Sequence, residues 1–208
     1  MKKISAVIGF AIVLFACSKK HSVDPESSNS VLVNGTTYPT VTIGSQVWTT
    51  LNYNGPGGYH SVDFNQYGDY YTRSQALIIK LPSGWRIPTI ADYETLIRHY
   101  SPLTDIDGRP YADQMRVVPL ISTTGWSSNN GTNESGFNSA PAGYFVITPS
   151  QTSYAVADAF YVTADSIGPS GNKSGRYGCL INPYTATAAQ TNNPPVVRSL
   201  SLRLVKDK

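Results

Sequence analysis

The chain has 208 residues with 16 Lys or Arg against 13 Asp or Glu, and only 14% of it is charged. The formal charge of +3 includes Lys2 and Lys3 of an expected export leader; without them the balance is near neutral, which excludes the basic footprint that nucleic-acid binding needs. Seventeen glycines and fourteen tyrosines indicate a β-rich, loop-rich extracytoplasmic protein, long enough for one domain with its own core.

The N-terminus reads as an export signal. Lys2 and Lys3 precede an apolar run from Ile4 to Phe15 that is too short for a membrane span of ~20 residues and ends in small residues. Leu14-Phe15-Ala16-Cys17 resembles the lipobox of bacterial lipoproteins. That resemblance implies residues 1–16 as signal peptide, cleavage before Cys17, and lipid on its thiol and new amino group. The membrane is then a partner through Cys17, and the location is the cell envelope, anchored to the outer membrane and facing either periplasm or surface. Lys19, Lys20 and His21 sit beside the lipid, where each basic residue contributes roughly 1 kcal/mol toward anionic headgroups. With Cys17 lipidated, Cys179 is the remaining thiol, and packing rather than a disulfide must hold the domain together. Residues 17–30 are polar and aperiodic and read as a flexible tether of ~20 Å reach.

The folded domain spans residues 31–208. Its opening, VLVNGTTYPTVTIGSQVWTTLNY, predicts two or three short strands turned at Asn34-Gly35 and Gly44-Ser45. Residues 54–69 form a Gly-rich aromatic loop. Thr72-x-x-Gln75 is a capping box ahead of a short helix that Pro82 stops. Thr89-x-x-Asp92 repeats the device, and Tyr93, Leu96, Ile97 and Tyr100 then make one apolar stripe. Residues 103–140 show turn chemistry throughout, apart from the apolar patch Val117 to Ile121. Strands are expected over 143–148, 159–165 and 177–181, with a loop over TATAAQTNNPP. At the end, Leu200, Leu202 and Leu204 alternate with Ser201 and Arg203, the pattern of a half-buried strand. The whole is α+β, a single domain with two short helices and six or more strands.

Candidate chemistry is sparse. No serine carries glycine at both −2 and +2, so the nucleophile elbow of hydrolases is absent. Gly168 to Ser174 lacks the glycine before Lys173 that a phosphate loop requires. His21, His60 and His99 are too far apart in sequence to supply a local zinc set. Asp105-Ile-Asp107-Gly108 lacks the later glutamate of a calcium loop and reads as a turn. Cys179 reads as a small buried hydrophobe. No catalytic residue, metal or cofactor is therefore assigned. Binding residues come from two sources. Tyr59, Tyr70, Trp126 and Tyr144, with Tyr67 and Tyr71, offer aromatic faces for a glycan. Asn133 and Glu134 in TNESGF offer amide and carboxylate groups, although Asn and Ser there also suit bonds to their own backbone. Trp48 and Trp85 fall in strand and turn blocks and are expected in the core.

Five stretches, in order, resemble the Fibrobacter succinogenes major paralogous domain of exported bacterial lipoproteins: TIGSQVWTTLNYN (42–54), YGDYYTRSQAL (67–77), LPSGWRIPTIADYETLI (81–97), TNESGFNSAPAGYF (132–145) and SLSLRLVKD (199–207). The resemblance implies a C-type-lectin-like fold, also similar to formylglycine-generating enzymes, with paired N- and C-terminal strands, flanking helices and long ordered loops. Where family members often carry cysteine, this chain has Leu81 and Leu204, which are expected to touch. The Glu-Pro-Asn, Gln-Pro-Asp and Trp-Asn-Asp tripeptides of calcium-dependent lectins are missing, and one cysteine cannot supply the reactive pair of the enzymes. The expectation is a non-enzymatic envelope lipoprotein that binds a glycan or cell-surface protein without calcium. The alternatives are a structural envelope or matrix component, or a divergent enzyme of the formylglycine-generating fold.

Overall fold

A computed structural model of the chain describes residues 29–100, 104–106, 109–113, 117–127, 129–147, 152–155, 158–165, 176–182, 185–191 and 197–208. The expected signal peptide, Cys17, nearly all of the tether, the Gly168 loop and Asp107-Gly108 lie outside the described residues.

The domain opens with a meander. Strand β1 (Ser30–Val33) turns at Asn34-Gly35 into β2 (Thr36–Ile43). Asn34 has φ 48° and Gly35 φ 86°, and two successive positive φ values are what a tight hairpin matched to strand twist requires. Strand β3 (Gln46–Thr49) follows after Gly44-Ser45. The strand nearest the C-terminus, Val205–Asp207, pairs antiparallel with β3, Val205 opposite Trp48. The N- and C-terminal segments therefore share one four-stranded sheet.

A second, nine-stranded sheet is built from β4 (Tyr70–Tyr71), β5 (Thr104–Ile106), β6 (Arg109–Asp113), β7 (Tyr144–Ile147), β8 (Thr152–Ala155), β9 (Ala159–Val162), β10 (Arg176–Asn182), β11 (Thr185–Thr191) and β12 (Arg198–Ser201). Its order is β5-β6-β11-β10-β9-β12-β7-β8, with β4 pairing β12 off that path. The Val205–Asp207 strand is β13. Pairing is antiparallel except between β12 and β9. The described residues thus form a mixed α+β fold of helices and strands.

Helix α1 (Arg73–Leu77) carries both arms of the Thr72–Gln75 capping box. It ends at Leu77, well ahead of Pro82, so the proline follows the stop instead of causing it. Helix α2 (Ile90–Tyr100) buries Ile90, Tyr93, Leu96 and Ile97 and lies against β10 and β11. Its N-terminus is held by Asp92, whose carboxylate accepts from the Thr89 N–H at 2.7 Å and the Thr89 hydroxyl at 2.8 Å. The same carboxylate accepts from Gln46 Nε2 at 2.9 Å and from both terminal nitrogens of Arg86. One side chain thereby caps the helix and ties it to β3.

Two stretches expected to be irregular contain strands. Residues 104–106 and 109–113 pair antiparallel as β5 and β6, and 185–191 is β11, paired to β10 on one edge and β6 on the other. Thr-Ala-Thr-Ala-Ala-Gln-Thr lacks the large apolar residues that mark a strand in sequence; backbone pairing on both edges decides its conformation. The closing segment also differs from expectation. Leu200, Leu202 and Leu204 are buried together, but Ser201 is 0% exposed and Arg203 only 1%. The alternation is real, yet neither face meets water, because residues 202–204 cross from the second sheet to the first.

Among the described residues two large apolar clusters fill the interior, beside a smaller one of Tyr70, Ala142 and Phe145. One gathers Trp48, Tyr93, Leu96, Ile97, Phe137, Tyr161 and Cys179, with Trp48 5.1 Å from Tyr93 and edge-on to Phe137 at 5.5 Å. The other joins Val31, Tyr38, Tyr53, Tyr71, Leu200, Leu202 and Leu204, and half-buried Leu81 and Trp85 pack against it. Leu81 and Leu204 thus belong to one cluster.

Candidate functional site

Where the chain crosses between sheets, Arg203 is enclosed. Its Nε donates to Asn52 Oδ1 at 2.6 Å, Nη1 to the carbonyls of Thr49 and Phe137 at 2.8 and 3.0 Å, and Nη2 to the Asn138 carbonyl at 2.9 Å. The guanidinium lies over the Phe137 ring, 4.9 Å from its centroid. Burial pulls its pKa below the usual arginine value, but a guanidinium stays protonated in proteins. Every oxygen on it belongs to a neutral group, and no carboxylate forms an ion pair with it among the described residues.

Asn52 is fully committed. Besides accepting from Arg203, its Nδ2 donates to the Tyr67 carbonyl at 2.7 Å and to Ser201 Oγ at 3.1 Å. These bonds draw the loop over 65–68 against the last segment. Gly68, at φ 82°, makes the approach possible: a Cβ there would sit 3.0 Å from the Tyr53 carbonyl oxygen.

Above this floor opens a cleft of about 390 Å³, lined by Thr50, Leu51, Asn54, Asn65, Gln66 and Tyr67 on one side. Ser122, Thr124, Gly125, Asn138 and Ala140 line the other, with Asn52 and Arg203 beneath. The lining has amides, hydroxyls and one phenol but no Asp or Glu. Asn65 and Gln66 are exposed, and their carboxamides, like that of Asn138, engage no protein group. Asn54 accepts from the Tyr38 hydroxyl at 2.5 Å, which leaves its Nδ2 available. A committed floor and an uncommitted amide rim suit recognition of a polar ligand.

Of the residues proposed from sequence, Tyr59, Tyr70, Trp126, Asn133, Glu134 and Tyr144 do not line this cleft. Trp126 is 7% exposed and donates through Nε1 to Ser122 Oγ at 3.0 Å, fixing a wall residue from behind. Asn133, at φ 52°, accepts the Asn138 N–H at 2.8 Å and so sets the backbone of the opposite wall. Glu134 beside it is exposed. Tyr70 has no exposed surface and donates to the Ala142 carbonyl at 2.7 Å; burial raises its pKa. It offers a ligand no face, because β4 sits against β12 in the interior. Tyr59 is half-buried, its ring 4.8 Å from Phe145. Tyr144 is half-buried beneath the Arg198 guanidinium, 4.4 Å away, and edge-on to Phe160. Of the aromatics weighed from sequence, Tyr67 lines the cleft.

Sequence reading missed Arg203, Asn52, Asn54 and Asn138. An arginine held between leucines in Leu202-Arg203-Leu204 was the available signal for the first. The asparagines carry no local signature.

Among the described residues no three His, Cys, Asp or Glu side chains gather as a metal site. His60 and Asp69 form a pair at 2.7 Å with the imidazole 63% exposed. Cys179 is fully buried and its pKa is raised well above the ordinary thiol value by burial, so it is not poised as a nucleophile. No protein-family model matches the chain, and no curated protein or solved structure matches it significantly.

Proposed function

We propose that this protein is a cell-envelope lipoprotein whose domain, C-type-lectin-like in the manner of the Fibrobacter succinogenes major paralogous family, binds glycans without calcium in the cleft above Arg203. The carrying observation is a rim of carboxamides beside the Tyr67 ring, unengaged on Asn65, Gln66 and Asn138 and with a free Nδ2 on Asn54. The carboxamides of Asn65, Gln66 and Asn138 both donate and accept and that of Asn54 donates, which matches vicinal sugar hydroxyls, and an aromatic ring supplies the apolar face that sugars stack on. Neutral amides achieve this without the carboxylate cluster that a hard cation demands. The shared sheet of N- and C-terminal strands and the five ordered sequence blocks support the family reading. The Leu14-Phe15-Ala16-Cys17 motif supports the lipid anchor at the outer membrane.

The test is a glycan and peptide array probed with the full-length protein in neutral detergent, with and without chelator. The proposal expects glycan signal that survives chelation and is lost on replacing Asn65 and Gln66 together by alanine. Chelator-sensitive signal would overturn the metal-free mechanism. Silence across the array would assign the domain a structural role in the envelope.

A further inference from the structure

Among the described residues, no acidic side chain pairs with the charge on the cleft floor. Burying a cation is costly unless it is hydrogen-bonded or paired, and the fold surrounds Arg203 with four neutral oxygens. Those dipoles replace its water but leave its net charge uncancelled. The acidic side chains in ion pairs, Asp69, Asp92 and Asp207, are taken by His60 and Arg86. The cleft lining contributes no acid of its own. A concave site with one sign of charge and low-dielectric walls focuses potential at its mouth.

We propose that the cleft selects acidic saccharides, with the ligand carboxylate above Arg203 and its hydroxyls on the amide rim. This rests on the glycan-binding reading and narrows its ligand class. Four of the guanidinium N–H groups already point at protein oxygens, so recognition is not a bidentate fork. Attraction acts through space, and direct bonds come from the carboxamide N–H groups of Asn54 and Asn138. A polyhydroxylated acid fits this division of labour, because each hydroxyl both donates and accepts and so pairs with a carboxamide at either of its atoms.

The experiment is calorimetric titration of the full-length protein in neutral detergent with trigalacturonate, its methyl ester and polyglutamate. The expected result is binding of the acid about tenfold tighter than the ester, the scale of one charge contact at intermediate effective dielectric. The gap should shrink as salt rises from about 0.05 M to about 0.5 M. Because replacing Arg203 threatens folding, the second arm is Asn138→Asp, which places a carboxylate at the rim and should bring the acid-to-ester ratio to about one. Equal affinity for acid and ester would overturn the selectivity while leaving glycan binding intact. A ratio unchanged in Asn138→Asp would equally overturn it. Polyglutamate binding as tightly as trigalacturonate would overturn the saccharide class. Failure of all three probes, joined to a silent array, would remove the binding reading itself.

Discussion

Arg203 and Asn52, 151 positions apart, share a buried hydrogen bond of 2.6 Å that fastens the crossing segment to the loop after β3. Through Asn52 that bond reaches Tyr67 and Ser201, so one contact organises the cleft floor and the junction of the two sheets.

Arg203→Lys keeps the charge but removes the fork. A single ammonium cannot serve Asn52 Oδ1 and the carbonyls of Thr49, Phe137 and Asn138 in the same geometry, and each buried acceptor left unmet costs roughly 1–3 kcal/mol. Urea unfolding is expected to show a loss of about 3 kcal/mol or more, and a wild-type-like midpoint would refute the role of the fork.

Asp92 sets the acid limit of the fold. Burial opposes its ionisation, but the bonds from Arg86 and Thr89 outweigh that and hold its pKa below the ordinary 3.8. A lowered folded pKa gives stability that is present above the unfolded value and lost as pH falls through the folded one. Stability should therefore fall off below about pH 4. Asp92→Asn should flatten that limb and cost about 2 kcal/mol at neutral pH, the scale of hydrogen bonds to a charged group. Thermal melts from pH 2 to pH 7 on both proteins decide it.

Tyr93 is fully buried with a hydroxyl that finds no partner among the described residues. An orphan polar group in a core is a standing cost, so Tyr93→Phe is expected to raise unfolding stability by about 1 kcal/mol. A loss of stability on denaturant titration would mean that the hydroxyl is bonded in solution.

Leu204 is fully buried, whereas Leu81 packs half-buried on the same cluster. Leu204→Ala should cost about 2–5 kcal/mol and Leu81→Ala less. If the side chains touch, the double mutant departs from additivity by at least about 0.5 kcal/mol. Additive losses in the cycle would separate the two positions.

The local devices were legible in sequence because each is written in adjacent residues. Asn34-Gly35, Thr72-x-x-Gln75 and the α2 stripe need only turn chemistry and helical period. Strand β11 was not legible, since its conformation comes from partners on both edges and not from its own threonines and alanines. Nor was the burial of Arg203. An alternating Leu-Arg-Leu pattern looks the same whether its polar face meets solvent or a second layer, and only the crossing between sheets distinguishes them. The cleft was legible least, because it joins asparagines from three loops that no spacing relates.

The pairing of β3 with β13 also bears on how quickly the chain finds its structure. Val205 registers with Trp48, so the first sheet stays incomplete until nearly the whole intervening chain has been gathered in. Contacts of such long sequence separation are closed at high entropic cost before they return any stability, which slows folding into the millisecond-to-second range typical of β-dominated domains. A fragment ending between β3 and Arg203 has an open strand edge and lacks the guanidinium beneath its amides. The cleft should therefore form in the same kinetic phase as the fold itself.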